Sequence, residues 1–287
     1  MGAEASGTAL VDATTPRAER PWGLLVGALF AAPIGVLSGF TGVGGGEYRA
    51  PVLLVLLRRI RLTIATNLLI GSIVATFNVL LRQAWGLPWQ ALILGLLLIP
   101  GSLPGAYLGA AVTSRISSTS LKIVLAGILV VTGLRLILFE VHAGSAVSLN
   151  ALTISLSLLL GVGLGIISGL LGVAAGEYRI PALILLFGVS PVFAGTLSSL
   201  VSIPSQLTGY LKHRSLGHTG RTSTRLAAVM GIASVGGVLI GILVLGRTSE
   251  SLVTQVLGLA MVLAAGQIIW DIRHPHPAEA ASAPGQA

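Results

Sequence analysis

Residues 38–51 read SGFTGVGGGEYRAP, and residues 168–181 read SGLLGVAAGEYRIP. Each stretch places a Glu-Tyr-Arg triplet, at residues 47–49 and 177–179, directly after a run of small residues inside strongly apolar sequence. Charged residues are costly in apolar surroundings, and here the same charged triplet is used twice. If the surroundings are lipid, both triplets are candidates for a functional site.

The composition places the chain in a membrane. Hydrophobic residues make up 54% of the 287 residues, charged residues only 9%, and the mean hydropathy is +0.94. A soluble domain carries about 25% charged residues. Uncharged apolar runs recur near the length of about 20 residues that crosses a bilayer as a helix. The sequence therefore predicts an all-α polytopic protein whose first partner is the lipid bilayer.

Several other classes of protein are disfavoured. The net charge is +8, but the basic residues stand at the ends of apolar runs, which is typical of membrane topology rather than of nucleic-acid binding. The absence of cysteine excludes disulfides and thiolate metal sites. We place all the histidines in loops or tails, so we predict no metal site, no cofactor and no enzymatic dyad: His142, His213, His218, His274 and His276.

The chain consists of two similar halves. Gly105-x3-Gly109-x5-Arg115 is matched by Gly237-x3-Gly241-x5-Arg247, at nearly the same offset as the opening motifs. We predict a first transmembrane repeat at 21–142 and a second at 148–272. A flexible cytoplasmic tail is expected at 1–20 and a disordered cytoplasmic tail at 273–287. Internal repeats of this kind are common in secondary transporters.

Each half is predicted to begin with a helical hairpin broken at its small residues, because a run such as residues 42–46 disfavours a continuous helix. Three transmembrane helices follow each hairpin. We expect them at about 62–82, 87–112 and 120–139 in the first half, and at about 191–211, 226–246 and 251–270 in the second. Glycine ridges such as Gly161, Gly165 and Gly169 would let these helices pack closely.

The distribution of lysine and arginine predicts that the repeats are inverted. If each hairpin enters and leaves on one side, twelve basic residues lie in the cytoplasm and three, Arg82, Arg135 and Arg247, lie outside. If each opening segment crosses once, the division is nine to six. The excess of basic residues on the cytoplasmic side favours inversion.

Two readings of the buried arginines remain open. Short helices starting near Gly46 and Gly176 would offer free N–H groups to an anion, and Arg49 and Arg179 would add fork-shaped donors. Alternatively, each arginine neutralises a glutamate and clamps its hairpin. On the first reading the substrate contacts also include Gly44 and Gly45.

Other polar residues are weaker candidates. Glu47 and Glu177 are proposed carriers of coupled protons, and Tyr48 and Tyr178 either bind substrate or pack. Asn67 and Gln206 are candidate substrate contacts among polar residues whose commoner role is helix-to-helix hydrogen bonding: Thr66, Asn78, Thr196, Ser198, Ser199 and Ser202.

The stretch from Ser38 to Gly46 with Pro51, and its copy from Ser168 to Pro181, resemble the signature of the sulfite exporter TauE/SafE family. This resemblance implies a multi-pass transporter of the cell membrane that exports sulfite or organosulfonates. The Glu-Tyr-Arg triplets, and Ala174-Ala175 in place of two glycines, depart from the pattern of many members.

We therefore expect an anion transporter working by alternating access around a site between the two hairpins. The alternative is an anion channel or uniporter with the same fold. The sequence leaves open whether the chain forms a homodimer.

Overall fold

The computed structural model describes residue 18 and residues 21–82, 89–112, 118–139 and 149–274. Within these ranges all regular secondary structure is helical, with eight long helices, two short ones and no strand. The two predicted tails lie almost wholly outside the described residues. Ala18, from the first tail, is buried in one apolar cluster with Leu226 and Ala227. The last helix continues to Arg273, so the second tail begins slightly later than predicted.

The ten helices fall into two sets of five with matching lengths. The first half contains α1 (Pro21–Thr41), α2 (Gly46–Leu57), α3 (Ile60–Arg82), α4 (Trp89–Val112) and α5 (Ser118–Leu138). The second half contains α6 (Ala151–Leu171), α7 (Gly176–Phe187), α8 (Pro191–Ser215), α9 (Arg221–Leu245) and α10 (Glu250–Arg273). Each half is thus one long helix, one short helix and three long helices in that order.

The break that opens each half falls where the sequence predicts it. α1 ends at Thr41 and α2 begins at Gly46, while α6 ends at Leu171 and α7 begins at Gly176. In the first break Gly44 and Gly45 have φ of 89° and 68°, a left-handed conformation that glycine adopts without steric cost. In the second break Ala175 holds the corresponding position at φ 52°. An L-residue with a β-carbon is strained there.

Six helices are long and apolar enough to cross a membrane: α1, α3, α4, α6, α9 and α10. Two of the predicted spans are weaker by this measure. In α5 the apolar part is a shorter helix, Ile123–Leu138. α8 is rich in serine and threonine, and most of its polar side chains are buried inside the protein, so its low hydropathy reflects a central position rather than exposure to water.

The long helices pair across the two halves. α1 packs along α9, and α6 packs along α4, so the first helix of each half lies against the fourth helix of the other. Glycines make both contacts close. A β-carbon on Gly161, Gly165 or Gly169 would collide with backbone carbonyls of α4, and one on Gly237 or Gly241 would collide with those of α1. The glycine ridges predicted from sequence are therefore confirmed as packing surfaces.

The remaining long helices also pair across the two halves. The third helices, α3 and α8, pack on one another at the centre, and the fifth helices, α5 and α10, pack on one another. The short helices stay with their own half: α2 packs on α3, and α7 packs on α8. The two breaks are thereby brought to the polar centre of the protein.

Candidate functional site

The turns at the two breaks lie directly against each other. A β-carbon on Gly46 would lie 3.2 Å from the backbone nitrogen of Ala174 and 3.3 Å from Cα of Val173. One on Gly176 would lie 2.9 Å from the backbone carbonyl carbon of Val43. Gly46 and Gly176 begin the short helices, so the two helix starts face each other's turns. No larger residue fits at either start without moving the opposite backbone.

Four charged side chains are buried beside these turns. Arg49, Glu177 and Arg179 have at most 1% of their surface exposed, and Glu47 has 7%. Glu177 lies within electrostatic range of the other three. The charges that the sequence placed in two separate triplets therefore share one site, with two formal positive and two formal negative groups.

Each guanidinium leaves one complete two-donor edge without a hydrogen-bond partner among the described residues. In Arg49, Nε donates to Oδ1 of Asn67 over 3.3 Å, and both terminal nitrogens have no partner. In Arg179, Nη1 donates to the Ser198 carbonyl over 2.8 Å and to Ser202 Oγ over 2.7 Å, whereas Nε and Nη2 have none. Two adjacent N–H groups in a plane match the spacing of two oxygens on one anion.

The acceptors and hydroxyls at the site are also incompletely used. Neither carboxylate oxygen of Glu177 accepts a hydrogen bond from any described residue, and the hydroxyl of Tyr178 has no partner among them. Buried polar groups without partners are rare in folded proteins, and each calls for an explanation. A polar substrate is one explanation that would satisfy donors and acceptors together.

Asn67 is part of the scaffold that holds the two turns. Its Nδ2 donates to the Gly46 carbonyl over 2.9 Å and to the Gly172 carbonyl over 2.8 Å, so one side chain joins the break of each half. Its Oδ1 accepts from Arg49. With these bonds the amide orients the Arg49 guanidinium, and it offers little to a substrate.

Gln206 is placed differently. It is buried against Gly71 of α3, where a β-carbon would overlap its Oε1, and its Nε2 has no hydrogen-bond partner in the described part of the chain. Of the two amides singled out from sequence, Gln206 is the one with a free donor.

The two tyrosines differ as well. The Tyr48 hydroxyl donates a hydrogen bond to the Ala260 carbonyl of α10, which favours the packing role for Tyr48. Tyr178 packs in the apolar core, and its hydroxyl has no hydrogen-bond partner in the described part of the chain. Near Tyr48, Gln267 of α10 donates to the Glu47 carbonyl over 2.8 Å, a contact that no sequence pattern predicts.

The other polar residues of α3 and α8 were expected to form hydrogen bonds between helices, and only some of them do. Ser199 Oγ donates to the Gly42 carbonyl over 3.4 Å, and Ser202 Oγ donates to the Ala174 carbonyl over 3.4 Å. Asn78 donates to Ser38 Oγ over 3.0 Å. The hydroxyls of Thr66 and Thr196 return to their own helices, and Ser198 Oγ has no partner among the described residues.

Comparison with known proteins identifies the family. The model of the sulfite exporter TauE/SafE family matches residues 5–136 and 157–287, one segment in each half. The chain belongs to the sulfite exporter TauE/SafE family. Among the relatives of this TauE/SafE protein is the probable membrane transporter protein YunE of Bacillus subtilis (strain 168), which is 25% identical over 194 residues. The aligned part covers 62% of this chain and 70% of YunE. No solved structure matches the chain with significance.

Family membership confirms the resemblance seen in the opening motifs. This TauE/SafE protein is a multi-pass membrane transporter, and its environment is a lipid bilayer. Within the described residues no group of three or more metal-ligating side chains comes together.

Arg82 of this TauE/SafE protein was misjudged from sequence. The helix predicted at about 62–82 ends at Arg82, as α3 does, but we counted this charge among those outside the membrane, and Arg82 is 1% exposed and buried inside the protein. Its Nε donates to the Gly39 carbonyl over 3.1 Å, Nη2 to the Phe40 carbonyl over 2.6 Å and Nη1 to the Val192 carbonyl over 3.3 Å. The guanidinium therefore caps the end of α1, whose last carbonyls have no helical partner.

His213 was misjudged in the same way. It lies inside α8 rather than in a loop, and it is fully buried. Its Nε2 is 3.3 Å from the Gly169 carbonyl in the last turn of α6. The clue in the sequence was position: Arg82 and His213 stand 131 residues apart, and Gly39 and Gly169 stand 130 apart.

Proposed function

We propose that this TauE/SafE protein is a secondary transporter that exports small anions, sulfite or organosulfonates, across the cell membrane. The observation that carries the proposal is the pair of guanidinium edges on Arg49 and Arg179 that have no hydrogen-bond partner among the described residues. Sulfite and sulfonates present oxygens to such an edge in pairs, and arginine binds oxyanions of this shape better than lysine does. The helix starts at Gly46 and Gly176, with Gly44 and Gly45 before the first, would add N–H donors and a partial positive charge.

We propose further that the two repeats are inverted and that transport proceeds by alternating access. The exchange of partners between α1 with α9 and α6 with α4 supports a twofold relation between the halves. The burial of the charged site residues supports a carrier over a channel, because the charged residues that line a conducting pore would be exposed to water. In this conformation the site charges are almost entirely shielded from solvent, so a substrate must wait for one half to move against the other.

Glu47 and Glu177 are the proposed carriers of a coupled proton. With two arginines and two ionised glutamates the site is formally neutral, so an added anion brings uncompensated charge into a poorly hydrated region. Uptake of one proton by a carboxylate would restore the balance. Glu177 is the stronger candidate, because its oxygens lack hydrogen-bond partners among the described residues.

The first experiment is a thermal-shift screen of the purified full-length protein with sulfite, alkyl sulfonates, thiosulfate and carboxylates. The proposal expects sulfite or a sulfonate to raise the melting temperature with saturation, since a ligand that binds only the folded state stabilises it. If only carboxylates stabilise the protein, the substrate class is wrong. If no anion does, the anion site itself is wrong.

The second experiment separates the carrier from the channel. Proteoliposomes loaded with the stabilising anion should show saturable counterflow when labelled anion is added outside. Single-channel currents carried by that anion would instead establish the channel or uniporter.

Glu177→Gln tests proton coupling in the same vesicles. An imposed pH gradient should drive anion movement in the parent protein and lose this effect in the variant, while exchange without a gradient continues. A gradient effect that survives Glu177→Gln combined with Glu47→Gln excludes these carboxylates as proton carriers.

A further inference from the structure

One face of α9 is turned away from the helices with which α9 packs. α9 contacts α1 and α3 through buried residues such as Met230 and Gly237. On its opposite face, Ile232 is 74% exposed, Leu239 47% and Leu243 71%. In a protein that spans a membrane, an apolar face of this kind lies against the hydrocarbon chains of lipids.

Two arginines stand at the start of the same face. Arg221 and Arg225 are exposed and lie one helical turn apart at the beginning of α9. The spacing of residues 221, 225, 228, 232, 239 and 243 keeps all of them on one side of a helix with 3.6 residues per turn. This face therefore has a basic end followed by an apolar stripe.

A surface pocket of about 610 Å³ lies at the basic end. Arg221, Thr224, Arg225 and Ala228 line this pocket, so two guanidinium groups share one space. The Thr224 hydroxyl donates to the Gly220 carbonyl over 3.1 Å, and the hydrogen-bond donors left for a ligand are those of the arginines. Ala228 connects the pocket to the apolar stripe, because it is the lining residue next to the stripe on that face.

The two arginines have no counter-charge in the described part of the chain. No hydrogen bond or ion pair joins Arg221 or Arg225 to any described residue. Like charges one turn apart on a helix repel each other. An anionic group that accepts hydrogen bonds from both guanidiniums would remove this repulsion, and a phosphate has oxygens enough for both.

We propose that this face of α9 binds an anionic phospholipid, with the headgroup phosphate between Arg221 and Arg225 and an acyl chain along the apolar stripe. One leaflet contributes about 15 Å of hydrocarbon, the length of about ten helical residues. An acyl chain that starts at the pocket would thus cover Ile232 and end near Gly236, where a β-carbon would meet nothing within 4 Å. The proposal does not depend on which anion the central site transports.

The charge of the face favours a lipid over a second copy of the chain. In a twofold dimer within one membrane the two α9 helices would run in the same direction, so Arg221 and Arg225 would meet their own copies. α9 contains no acidic residue that could compensate for this repulsion. A lipid with a zwitterionic headgroup fits less well, because its ammonium group would add a third positive charge.

Thermal unfolding of the delipidated full-length protein in detergent tests the proposal. Phosphatidylglycerol is titrated as the anionic lipid and phosphatidylcholine as the zwitterionic one. We expect phosphatidylglycerol to raise the melting temperature with saturation, since a ligand that binds the folded state stabilises it, and phosphatidylcholine to have little effect.

Arg221→Gln combined with Arg225→Gln should weaken the apparent affinity for phosphatidylglycerol by about tenfold or more. Before lipid is added, this double variant should be at least as stable as the parent, because the repulsion is gone. Arg214→Gln combined with Arg273→Gln is the matched control. It removes the same charge from exposed arginines at the same end of the helical bundle, outside the pocket, and should respond to lipid as the parent does.

Several outcomes would overturn the proposal. Equal affinities of the two double variants for phosphatidylglycerol would show that the pocket is not the site, and equal stabilisation of the parent by phosphatidylcholine would show that charge is not read. Full stabilisation by glycerol phosphate would assign the pocket to a soluble anion. Lower stability of the Arg221 and Arg225 double variant without lipid would assign the face to a protein contact, either with a second copy or with the chain's own N-terminal segment.

Discussion

At the scale of single residues, the two arginines of the site use their donors differently. Arg49 donates a hydrogen bond from Nε to Asn67, and its end-on edge, Nη1 and Nη2, has no partner among the described residues. Arg179 donates hydrogen bonds from Nη1 to α8, and its side-on edge, Nε and Nη2, has no partner among the described residues. Two edges of different orientation can hold two faces of one anion, whereas a clamp for a neighbouring carboxylate needs only one edge.

Replacing each arginine by lysine tests this reading, because lysine keeps the charge but lacks the fork. Arg49→Lys and Arg179→Lys should each weaken binding of the stabilising anion by about tenfold or more, as measured by thermal-shift titration. Arg247→Lys is the control, since Arg247 is exposed and distant in sequence from both triplets. Unchanged anion affinity in both site variants would favour the alternative in which the arginines only neutralise the glutamates.

Ala175 is strained where the first half has glycine. Its φ of 52° places it in the left-handed region, which costs an L-residue about 1–2 kcal/mol. Ala175→Gly should therefore raise the free energy of unfolding by up to about 1 kcal/mol, measured by thermal or denaturant unfolding in detergent. Ala174→Gly is the matched control: its φ is not positive, so it should lose stability. Equal effects of the two changes would contradict a strained turn.

At the scale of elements, the sequence predicted most of what the structure contains. Small residues at 42–46 and 172–176 located both breaks, because a helix cannot easily continue through positive φ. The helix with the weakest hydropathy signal for a transmembrane span was α8. Its buried serines and threonines lower its hydropathy, and hydropathy measures what a helix would show to lipid rather than what it packs against.

Close helix packing makes a sharp prediction for two glycines of α6. A β-carbon on Gly165 would meet the Ser102 carbonyl and lie 2.9 Å from Ser102 Cα, whereas one on Gly163 would meet nothing within 4 Å. Gly165→Ala should separate α6 from α4 and cost about 1–3 kcal/mol of stability. Gly163→Ala should change stability by less than about 1 kcal/mol. Melting temperatures of the two variants provide the comparison, and similar values would disprove the close contact.

The roles of Arg82 and His213 could not be predicted from sequence alone. Both follow long apolar stretches, where a basic residue is usually a topology signal in water. Both side chains are buried because each one contacts the end of a helix that lies more than 40 residues earlier in the chain. Local pattern carries no information about such a contact until the pairing of the helices is known.

At the scale of the whole molecule, the inverted arrangement stays a prediction with a direct test. The chain contains no cysteine, so single cysteines can be introduced without removing native ones. Arg59→Cys lies in the turn after the first short helix, and Phe187→Cys lies at the last residue of the second short helix. In sealed vesicles of one orientation, a membrane-impermeant maleimide should label them from opposite sides. Labelling from the same side would show that the halves are parallel.

The cross-pairing of α1 with α9 has a consequence for biosynthesis. When α1 leaves the ribosome, about 180 residues must still be translated before the helix that covers its glycine-lined face exists. Until then that face rests against lipid or against the insertion machinery. Every nascent chain shorter than α9 is therefore an incomplete bundle, and quality control that removes truncated chains would recognise it by that uncovered helix.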